Sequence, residues 1–375
     1  MKITALADDY LTLMKTPDSK TVWTCSPGIC KCPNGRLIAT AGFRGPGIDM
    51  VEGIKCESHQ GQVHISDDHG KTWTKTAEYP FLHARPFVAG EKLYVLGHNK
   101  DLMIISSDDW GKTWNEPVKL TEGQIWHQAP CNVHYANGCV YLVMERKCYQ
   151  DCKSWEPSVL APVMMRGKIE DDLTNVKNWT FASELVFRDA FDDQELIDSG
   201  MSFFPITPKA TYYPSPGRDF APPGWLETNI FQIYDPNHYW FDPEMKTFHL
   251  ISRAHLGWAG YATLLTVTET GDKPGTGDMI TGFQKLPSGG ECRVLPLPGG
   301  QMKFHVLYDE ETKLYWLLST QATDSMTRAE LLDDDRYNLP NNQRSRLVLH
   351  FSKNMVDWCF AGLVAKGGSE IESRH

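Results

Sequence analysis

Two nearly identical turn segments constrain the fold of this 375-residue chain more than any other feature. Residues 66–73 read SDDHGKTW and residues 107–114 read SDDWGKTW, so both fit Ser-x-Asp-x-Gly-x-Thr-Trp and start 41 residues apart. In such a segment the Asp carboxylate can accept hydrogen bonds from turn amides, the Gly permits a positive φ, and the Trp packs back against a sheet. The pair therefore predicts tight hairpins at a fixed position in a repeated β structure.

Strand-like stretches separated by turn signals continue along the chain, and weaker versions of the turn begin at Asp172 and Ser352. The 30 Gly, 23 Pro and 12 Trp residues also favour strands broken by turns over long helices. Four-stranded repeats of about 40 to 50 residues predict an all-β propeller of six or seven blades, formed by residues 1–375 as a single domain. A stretch at about 189–223, rich in Pro and aromatic residues, is interpreted as a long insertion.

Few residues follow the last strand-and-turn pattern at 346–358. The sequence therefore predicts an incomplete last blade, unless residues 1–23 supply its closing strand. An open blade would expose an unpaired strand edge.

The charge and hydropathy of the chain exclude several classes of protein. Asp and Glu number 47 against 37 Lys and Arg, for a net charge of −10, which argues against a protein that tracks nucleic-acid phosphates. No stretch approaches the roughly 20 apolar residues of a membrane span, and residues 1–15 lack the apolar run of a signal peptide. We therefore expect no nucleic-acid and no membrane partner, and a cytoplasmic protein unless a leader was removed.

Ten cysteines do not change this expectation. Cys25, Cys30 and Cys32 could supply thiolates to a metal, as could Cys148 and Cys152, but neither group has a standard zinc spacing. Free thiols are the ordinary interpretation for such a protein. We expect no metal and no cofactor.

The repeated turn resembles the Asp box of the sialidase-like β-propellers, in which it stabilises blade corners and takes no part in catalysis. In true sialidases three arginines hold the substrate carboxylate, and the first lies in an Arg-Ile-Pro motif on the first strand. The matching stretch here is Ser26-Pro27-Gly28-Ile29, which places a hydroxyl where a guanidinium clamp is needed. The resemblance thus implies the propeller fold but argues against hydrolysis of neuraminic acid.

Other segments resemble a branch of the same superfamily that contains rhamnosidase-like glycoside hydrolases and uronate-specific polysaccharide lyases. The resemblance covers most of the chain at low identity, and its pieces are Phe81–Ala84, Trp126–Pro130, Glu145-Arg146, Trp225–Asn229, Ser252-Arg253 and Pro298–Phe304. In that branch a His often transfers the proton, and Arg and Tyr residues hold the acidic sugar. The resemblance implies an oligosaccharide or polysaccharide substrate.

Three residues are candidates for catalysis. His127 is the first candidate for a general acid or base, because imidazole titrates near neutrality and the residue is predicted to start an inner strand that lines the channel. His83 shares this pattern. Glu227 is a candidate second carboxyl, since glycosidases usually employ a pair of them. The plain alternatives are histidines bonded to backbone carbonyls and a solvated glutamate.

Seven further residues are candidates for holding the substrate. Arg44, on a Gly-rich loop, could bind a uronate carboxylate bidentately, or be a solvated cation. Glu145 and Arg146 are adjacent in the sequence, and Trp225 could be an aromatic platform for a sugar. Asn229 would share a strand face with Glu227, and Arg253 would share one with His255. For these the alternatives are a rim ion pair and packing between blades.

The residues support more than one function. A glycoside hydrolase that removes a terminal sugar from an acidic glycan is the first interpretation, and a lyase that cleaves next to a uronate by β-elimination is a close alternative. A pair of carboxyls suits hydrolysis, whereas a set of His, Tyr and Arg suits elimination. A non-catalytic glycan-binding propeller is the third, because the fold does not by itself imply catalysis.

Overall fold

The computed structural model describes residues 4–7, 9–152, 155–192, 213–215, 218–220, 222–327, 331 and 342–367. The chain divides into two compact units. The first unit contains Tyr10–Arg146 and Met165–Thr180, and the second unit contains Met1–Asp9, Lys147–Met164 and Phe181–His375. Most of the predicted insertion at about 189–223 lies outside the described residues. The prediction of one domain over residues 1–375 stays a prediction.

The described residues form five antiparallel sheets that correspond to propeller blades. The first blade contains β1 (Trp23–Lys31), β2 (Leu37–Arg44), β3 (His59–Ser66) and β4 (Thr74–Tyr79). The second contains β5 (Leu82–Ala89), β6 (Lys92–Asn99), β7 (Asp101–Ser107) and β8 (Val118–Lys119). The third contains β9 (Trp126–His127), β10 (His134–Ala136), β11 (Cys139–Lys147), β12 (Leu160–Lys168) and β13 (Trp179–Phe181), with β9 and β10 both paired to β11.

The remaining strands follow a two-stranded hairpin of β14 (Tyr213–Ser215) and β15 (Arg218–Phe220). The fourth blade contains β16 (Gly224–Phe231), β17 (Thr247–His255), β18 (Tyr261–Glu269), β19 (Met279–Gly282) and β22 (Val294–Pro296), and β20 (Gln284–Lys285) pairs with β21 (Glu291–Cys292). The fifth contains β23 (Phe304–Asp309), β24 (Leu314–Thr320), β25 (Arg346–Ser352) and β26 (Cys359–Lys366). Helices are short, and comprise α1 (Phe187–Ala190) and single 3-10 turns at Ile48–Met50, Pro157–Val159 and Val176–Asn178.

The prediction of an all-β propeller is confirmed, but the prediction of six or seven blades is wrong, because the described residues form five. A repeat of about 40 to 50 residues underestimates the length of the connections within the later blades. The connection between β24 and β25 runs from Thr320 to Arg346, and that between β16 and β17 runs from Phe231 to Thr247. The extra length of the chain is therefore in loops within blades and in the connection between β13 and β16, which runs from Phe181 to Gly224.

The fifth blade is not the incomplete one that the sequence predicted, because it has four strands. Its outermost strand also receives the N-terminal segment, since the Leu6 and Ala7 amides donate to the carbonyl oxygens of Leu363 and Val364 at 2.8 and 2.9 Å. The edge of β26 is thus covered by residues near the start of the chain.

The central strands of the blades explain why the sequence reads as apolar runs. In β6 the side chains from Leu93 to Leu96 are all buried, and in β11 those from Val140 to Met144 are fully enclosed. Both faces of such a strand are covered, so apolar residues follow one another without alternation.

The two repeated segments fold into the same turn. Asp68 accepts hydrogen bonds from the Thr72 amide and hydroxyl at 2.9 and 2.6 Å, and Asp109 accepts the same bonds from Thr113 at 2.9 and 2.7 Å. The glycine of each segment has φ of +85° or +87°, and the closing Trp donates to its carbonyl oxygen. The bonds from Thr72 lower the pKa of Asp68 to about 2. The turn is thus fixed by its own side chains.

A buried histidine in the fourth blade makes the second unit sensitive to acid. The His249 ring lies between Phe231 and Trp240 at 5.0 and 5.6 Å, and its Nε2 is 2.8 Å from Gln284 Oε1. Burial lowers the pKa of His249 from 6.5 to about 4. The unfolded chain therefore binds this proton first as the pH falls.

We expect the free energy of unfolding to be unaffected by His249 above pH 6.5 and to fall by about 3 kcal/mol between pH 6.5 and pH 4. Urea titrations across this range measure the decrease. His249→Phe keeps an aromatic ring between Phe231 and Trp240 without the titrating group, so its decrease should be smaller by that amount. Equal decreases in the two proteins would contradict the assignment.

Candidate active site

The same irregularity recurs in the first strand of three blades. In β1, β5 and β16, two consecutive residues oppose one residue of the second strand, which is a β-bulge. The first residue of each bulge has a left-handed backbone, namely Ser26 (φ +56°), His83 (φ +53°) and Glu227 (φ +56°). A left-handed conformation is unfavourable for these residue types, and bulges re-aim side chains, often next to active sites. The bulges therefore mark candidate functional positions.

Three histidine rings lie together in the first unit. The His83 centroid is 5.3 Å from that of His98 and 5.1 Å from that of His127, and the latter two are 6.1 Å apart. Ser26 Oγ is 2.5 Å from His83 Nδ1. Burial, together with the nearby His127, holds the pKa of His98 well below its usual value, so this ring stays neutral. The structure thus brings both predicted catalytic histidines together and adds Ser26 and His98 to them.

His127 is supported by Glu145. The two residues oppose each other in the β9–β11 pair, and His127 Nδ1 is 3.3 Å from Glu145 Oε2. The Glu145 side chain has no exposed surface, whereas 23% of the His127 side chain is exposed. An ionised carboxylate can only accept a hydrogen bond, so a Glu145 carboxylate would accept from His127 Nδ1. Glu145 also stabilises the charged imidazolium. The Glu145 carboxyl is therefore enclosed behind the His127 ring in this structure, and its role as a substrate contact stays a prediction.

The segment that leads into β9 is held by Asp101. Its carboxylate accepts from the Thr121 hydroxyl at 3.0 Å and from the amides of Gly123 and Gln124 at 3.2 and 2.9 Å. The Trp126 amide then donates to the Lys100 carbonyl oxygen at 2.8 Å. These bonds fix the start of β9 and hence the His127 backbone.

Two arginines adjoin the histidine cluster. Arg85 is almost fully buried, and it donates to the carbonyl oxygens of Asn132 and Val143 at 3.2 and 2.9 Å, which joins β5 to the third blade. Burial lowers the pKa of Arg85. The Arg146 guanidinium lies 5.9 Å from the centre of the Trp126 ring, a cation–π contact. Arg85 is therefore structural, and Arg146 lies beside the strand that carries His127.

Arg44 is exposed at the end of β2, opposite His59 in the pairing of β2 with β3. Burial and, to a lesser extent, the charge of Arg44 lower the pKa of His59. His59 is in turn close enough to His98 to contribute to the lowered pKa of that ring. Arg44 is thus exposed beside His59 at the end of β2.

The second unit contains a separate cluster around Glu227. Arg253 Nη1 donates to Glu227 Oε2 at 3.2 Å, and Arg253 Nε donates to the Gln301 carbonyl oxygen at 2.9 Å. The Trp155 ring centre is 5.2 Å from the Arg253 guanidinium and 5.0 Å from the His255 ring. The structure therefore brings together three predicted residues, Glu227, Arg253 and His255, and adds Trp155. Only 8% of the Arg253 and 11% of the Glu227 side chain is exposed.

Trp225 and Asn229 are enclosed by protein. The Trp225 side chain is fully buried, and its Nε1 donates to the Leu160 carbonyl oxygen at 2.8 Å. Asn229 bridges β16 to β23, because its amide donates to Phe304 O and accepts from the Val306 amide, both at 3.2 Å. A fully enclosed indole has no open face on which a sugar can stack, and the Asn229 amide is used between the blades. Both residues thus contribute to packing in this structure.

The thiols form no arranged metal site in the part of the chain that the structure describes. The neighbouring Cys32 thiol and burial raise the pKa of Cys30, and none of the ten cysteines forms a disulfide. Among the described residues, no group of three or more His, Cys, Asp or Glu side chains is arranged to hold a metal ion. None of the helices in those residues has the length and apolar character needed to cross a membrane.

No protein-family model matches the sequence, and no curated protein is significantly similar to it. Among solved structures, the chain is similar to an α-L-arabinanase of Penicillium chrysogenum complexed with arabinobiose, at 13% identity over 92% of this chain and 83% of that chain, with a TM-score of 0.43. It is also similar to the Hadza microbial sialidase Hz136, at 13% identity over 92% of this chain and 59% of that chain, with a TM-score of 0.49.

A third similar structure is the GH93 α-L-arabinofuranosidase of Fusarium graminearum with arabinobiose, at 9% identity over 92% of this chain and 82% of that chain, with a TM-score of 0.43. The nearer likeness to the rhamnosidase-like hydrolases and uronate lyases stays a prediction.

Proposed function

We propose that the protein is a carbohydrate-active enzyme that cleaves a glycosidic linkage in an acidic glycan, with His127 as the group that transfers the proton. The observation that carries this proposal is the pair formed by His127 and Glu145, in which an accessible imidazole is backed by a fully buried carboxylate. Such a pair can give a proton as imidazolium and take one as neutral imidazole. His83 lies beside it and supplies a second titratable ring.

An acidic sugar is the proposed substrate because an exposed arginine, Arg44, ends a strand of the blade that carries Ser26. Arg44 is exposed at the end of β2, and a guanidinium binds a carboxylate with two parallel hydrogen bonds. Few local cations are sufficient for this recognition, even in a protein with a net charge of −10. Arg44 would thus select the charged unit and leave bond cleavage to the histidines.

Hydrolysis and elimination make different demands on this site. In hydrolysis, imidazolium at His127 would protonate the leaving oxygen while a water molecule attacks the anomeric carbon. Glycosidases usually perform these steps with two carboxyl groups, whereas the proposed proton-transferring group here is an imidazole. In elimination, a neutral imidazole would remove the proton at C5 of the uronate after an arginine has neutralised its carboxylate. The C4–C5 double bond would form as the C4–O bond breaks, and a second imidazole, as imidazolium, would protonate the departing oxygen. One observation favours elimination as a second candidate, since the titratable groups grouped with His127 are mainly imidazoles.

A glycan panel tests the proposal directly. The protein is incubated with rhamnose–glucuronate, ulvan-like and sialylated glycans, together with a neutral arabinan, and both new reducing ends and the ultraviolet absorbance of an unsaturated uronate are followed. New reducing ends without that absorbance indicate hydrolysis, and both signals together indicate elimination. Cleavage of arabinan alone would contradict the acidic substrate. Binding without any product would support the non-catalytic propeller.

A further inference from the structure

We propose that the Trp23 indole is a stacking platform for the acidic sugar whose carboxylate Arg44 binds; the inference rests on the proposed function. Trp23 is not among the site residues that the sequence indicated. It is the only exposed one of the twelve tryptophans, all of which lie in the described part of the chain, and 45% of its surface is accessible. Single exposed apolar side chains are common on protein surfaces, so the neighbours of the indole decide what it can do.

Strand register places the indole beside the arginine. Trp23 lies opposite Arg44 in the pairing of β1 with β2, and Arg44 lies opposite His59 in the pairing of β2 with β3. Directly opposite residues of antiparallel strands point to the same face of the sheet, with Cβ atoms about 4.5–5.5 Å apart. The other face at this end of the blade is covered by apolar packing around Val22 and Phe43. One sugar ring can therefore contact the indole while its carboxylate reaches the guanidinium.

The backbone of Gly45 holds the indole in place. A Cβ atom at this position would lie 3.1 Å from Trp23 Cε3 and would collide with the Thr21 carbonyl oxygen, and Gly45 has φ of +132°. Only glycine allows both this conformation and this close approach. The indole thus rests on the main chain directly after Arg44, which keeps the ring beside the guanidinium and leaves part of the ring surface exposed to solvent.

Neither side chain is engaged by a polar partner. Among the described residues, the side chains of Trp23 and Arg44 form no hydrogen bond, and Arg44 forms no ion pair. Asp49, in the loop that follows, lies 4.0 Å from Lys55 instead. Burial lowers the pKa of His59, so this ring adds little positive charge at neutral pH. A guanidinium without a carboxylate partner, beside an exposed indole, fits a ligand that carries both a carboxylate and an apolar ring face.

The row of side chains lies next to the strand that carries His83. Gly42 is on the same face of β2, and a Cβ atom there would be 3.6 Å from Leu82 Cδ1 in β5, one residue before His83. Ser26, which contacts the His83 ring, follows Trp23 by three residues in β1. At about 3.3 Å per residue, the two positions are about 10 Å apart along the strand. A glycan held at Trp23 can therefore extend towards the histidine cluster.

Titrations with D-glucuronate and D-glucose test the assignment, because the two sugars differ only in the carboxylate and neither has a glycosidic bond to cleave. We expect the wild-type protein to bind glucuronate about 10-fold more tightly than glucose. Trp23→Ala should raise both dissociation constants by about 5-fold to 50-fold, because the sugar face loses its apolar contact. Arg44→Gln should raise only the dissociation constant of glucuronate. Ligand-observed NMR measures these weak affinities.

The indole signal of Trp23 gives a second readout on the wild-type protein. In 1H–15N spectra it is the indole resonance that disappears in Trp23→Phe, a variant that keeps an aromatic ring and should retain part of the affinity. Glucuronate should shift this resonance more than the other indole resonances. The readout does not depend on the folding of Trp23→Ala.

Tyr239→Ala is the matched control, because 87% of this aromatic residue is exposed in the second unit, and it should leave both dissociation constants unchanged. An unshifted Trp23 resonance, or wild-type affinity for glucuronate in a folded Trp23→Ala protein, would overturn the proposal even if the glycan panel shows cleavage. Glucuronate binding that depends on Trp23, without cleavage of any glycan, would support the platform and contradict the proposed enzyme. The two failures are therefore distinguishable.

Discussion

His127→Ala is expected to lower kcat/KM on the cleaved glycan by about 10²-fold to 10⁴-fold, the usual contribution of a positioned general acid or base. The variant removes the accessible imidazole that Glu145 supports, and little else, because the His127 side chain is partly exposed. Its Tm should therefore stay close to the wild-type value. Initial rates on the substrate found in the glycan panel measure the effect.

Two further variants make this prediction specific. Glu145→Gln keeps the shape of the side chain but removes the charge that stabilises imidazolium, so we expect an intermediate loss of kcat/KM. His69→Asn replaces an exposed histidine in the first repeated turn with a residue that tolerates its left-handed backbone (φ +62°), and it should leave the rate unchanged. Full activity in His127→Ala would remove this residue from the mechanism.

The second large effect is on stability. We expect Trp225→Ala to lower the free energy of unfolding by about 3–5 kcal/mol, because the indole is fully enclosed and its removal leaves a cavity. The ring packs edge-on against Phe187 and Phe191, with centroids 5.1 and 5.9 Å away. Urea titration followed by circular dichroism measures the loss.

Trp225→Phe is the matched comparison. It keeps most of the aromatic volume and removes the hydrogen bond to Leu160, so it should cost about 1–2 kcal/mol. Both variants should retain the affinity for the glycan wherever they are folded. A Trp225→Ala protein of wild-type stability with weakened glycan binding would instead support the sugar-stacking role that the sequence suggested.

The fold could be predicted from the sequence as far as local chemistry determines it. The turns at 66–73 and 107–114 are specified by their own Asp, Gly and Trp residues, and they predicted an all-β propeller correctly. The number of blades depends on the length of connections such as that from Thr320 to Arg346, which no local pattern encodes. That is why the sequence predicts six or seven blades, whereas the described residues form five.

The sequence indicated the candidate site only through the types of residue that it contains. His83 and His127 were singled out because imidazoles titrate near neutrality, and the structure places them 5.1 Å apart. His98 and Arg85 join them through strand register and contacts between blades, which a single sequence does not display. The sequence does not show which side chains are buried either, so Trp225 could be a platform for a sugar or a residue packed between blades.

The bulges also bear on how chemistry can change within such a fold. A bulged residue is left out of the regular pairing between the first and second strands, so its side chain can be exchanged without a shift in register. Ser26, His83 and Glu227 already show a hydroxyl, an imidazole and a carboxyl at this one position. These three positions are therefore suited to redesign, because one substitution in a blade would change the chemical group at the bulge and leave the strand pairing intact.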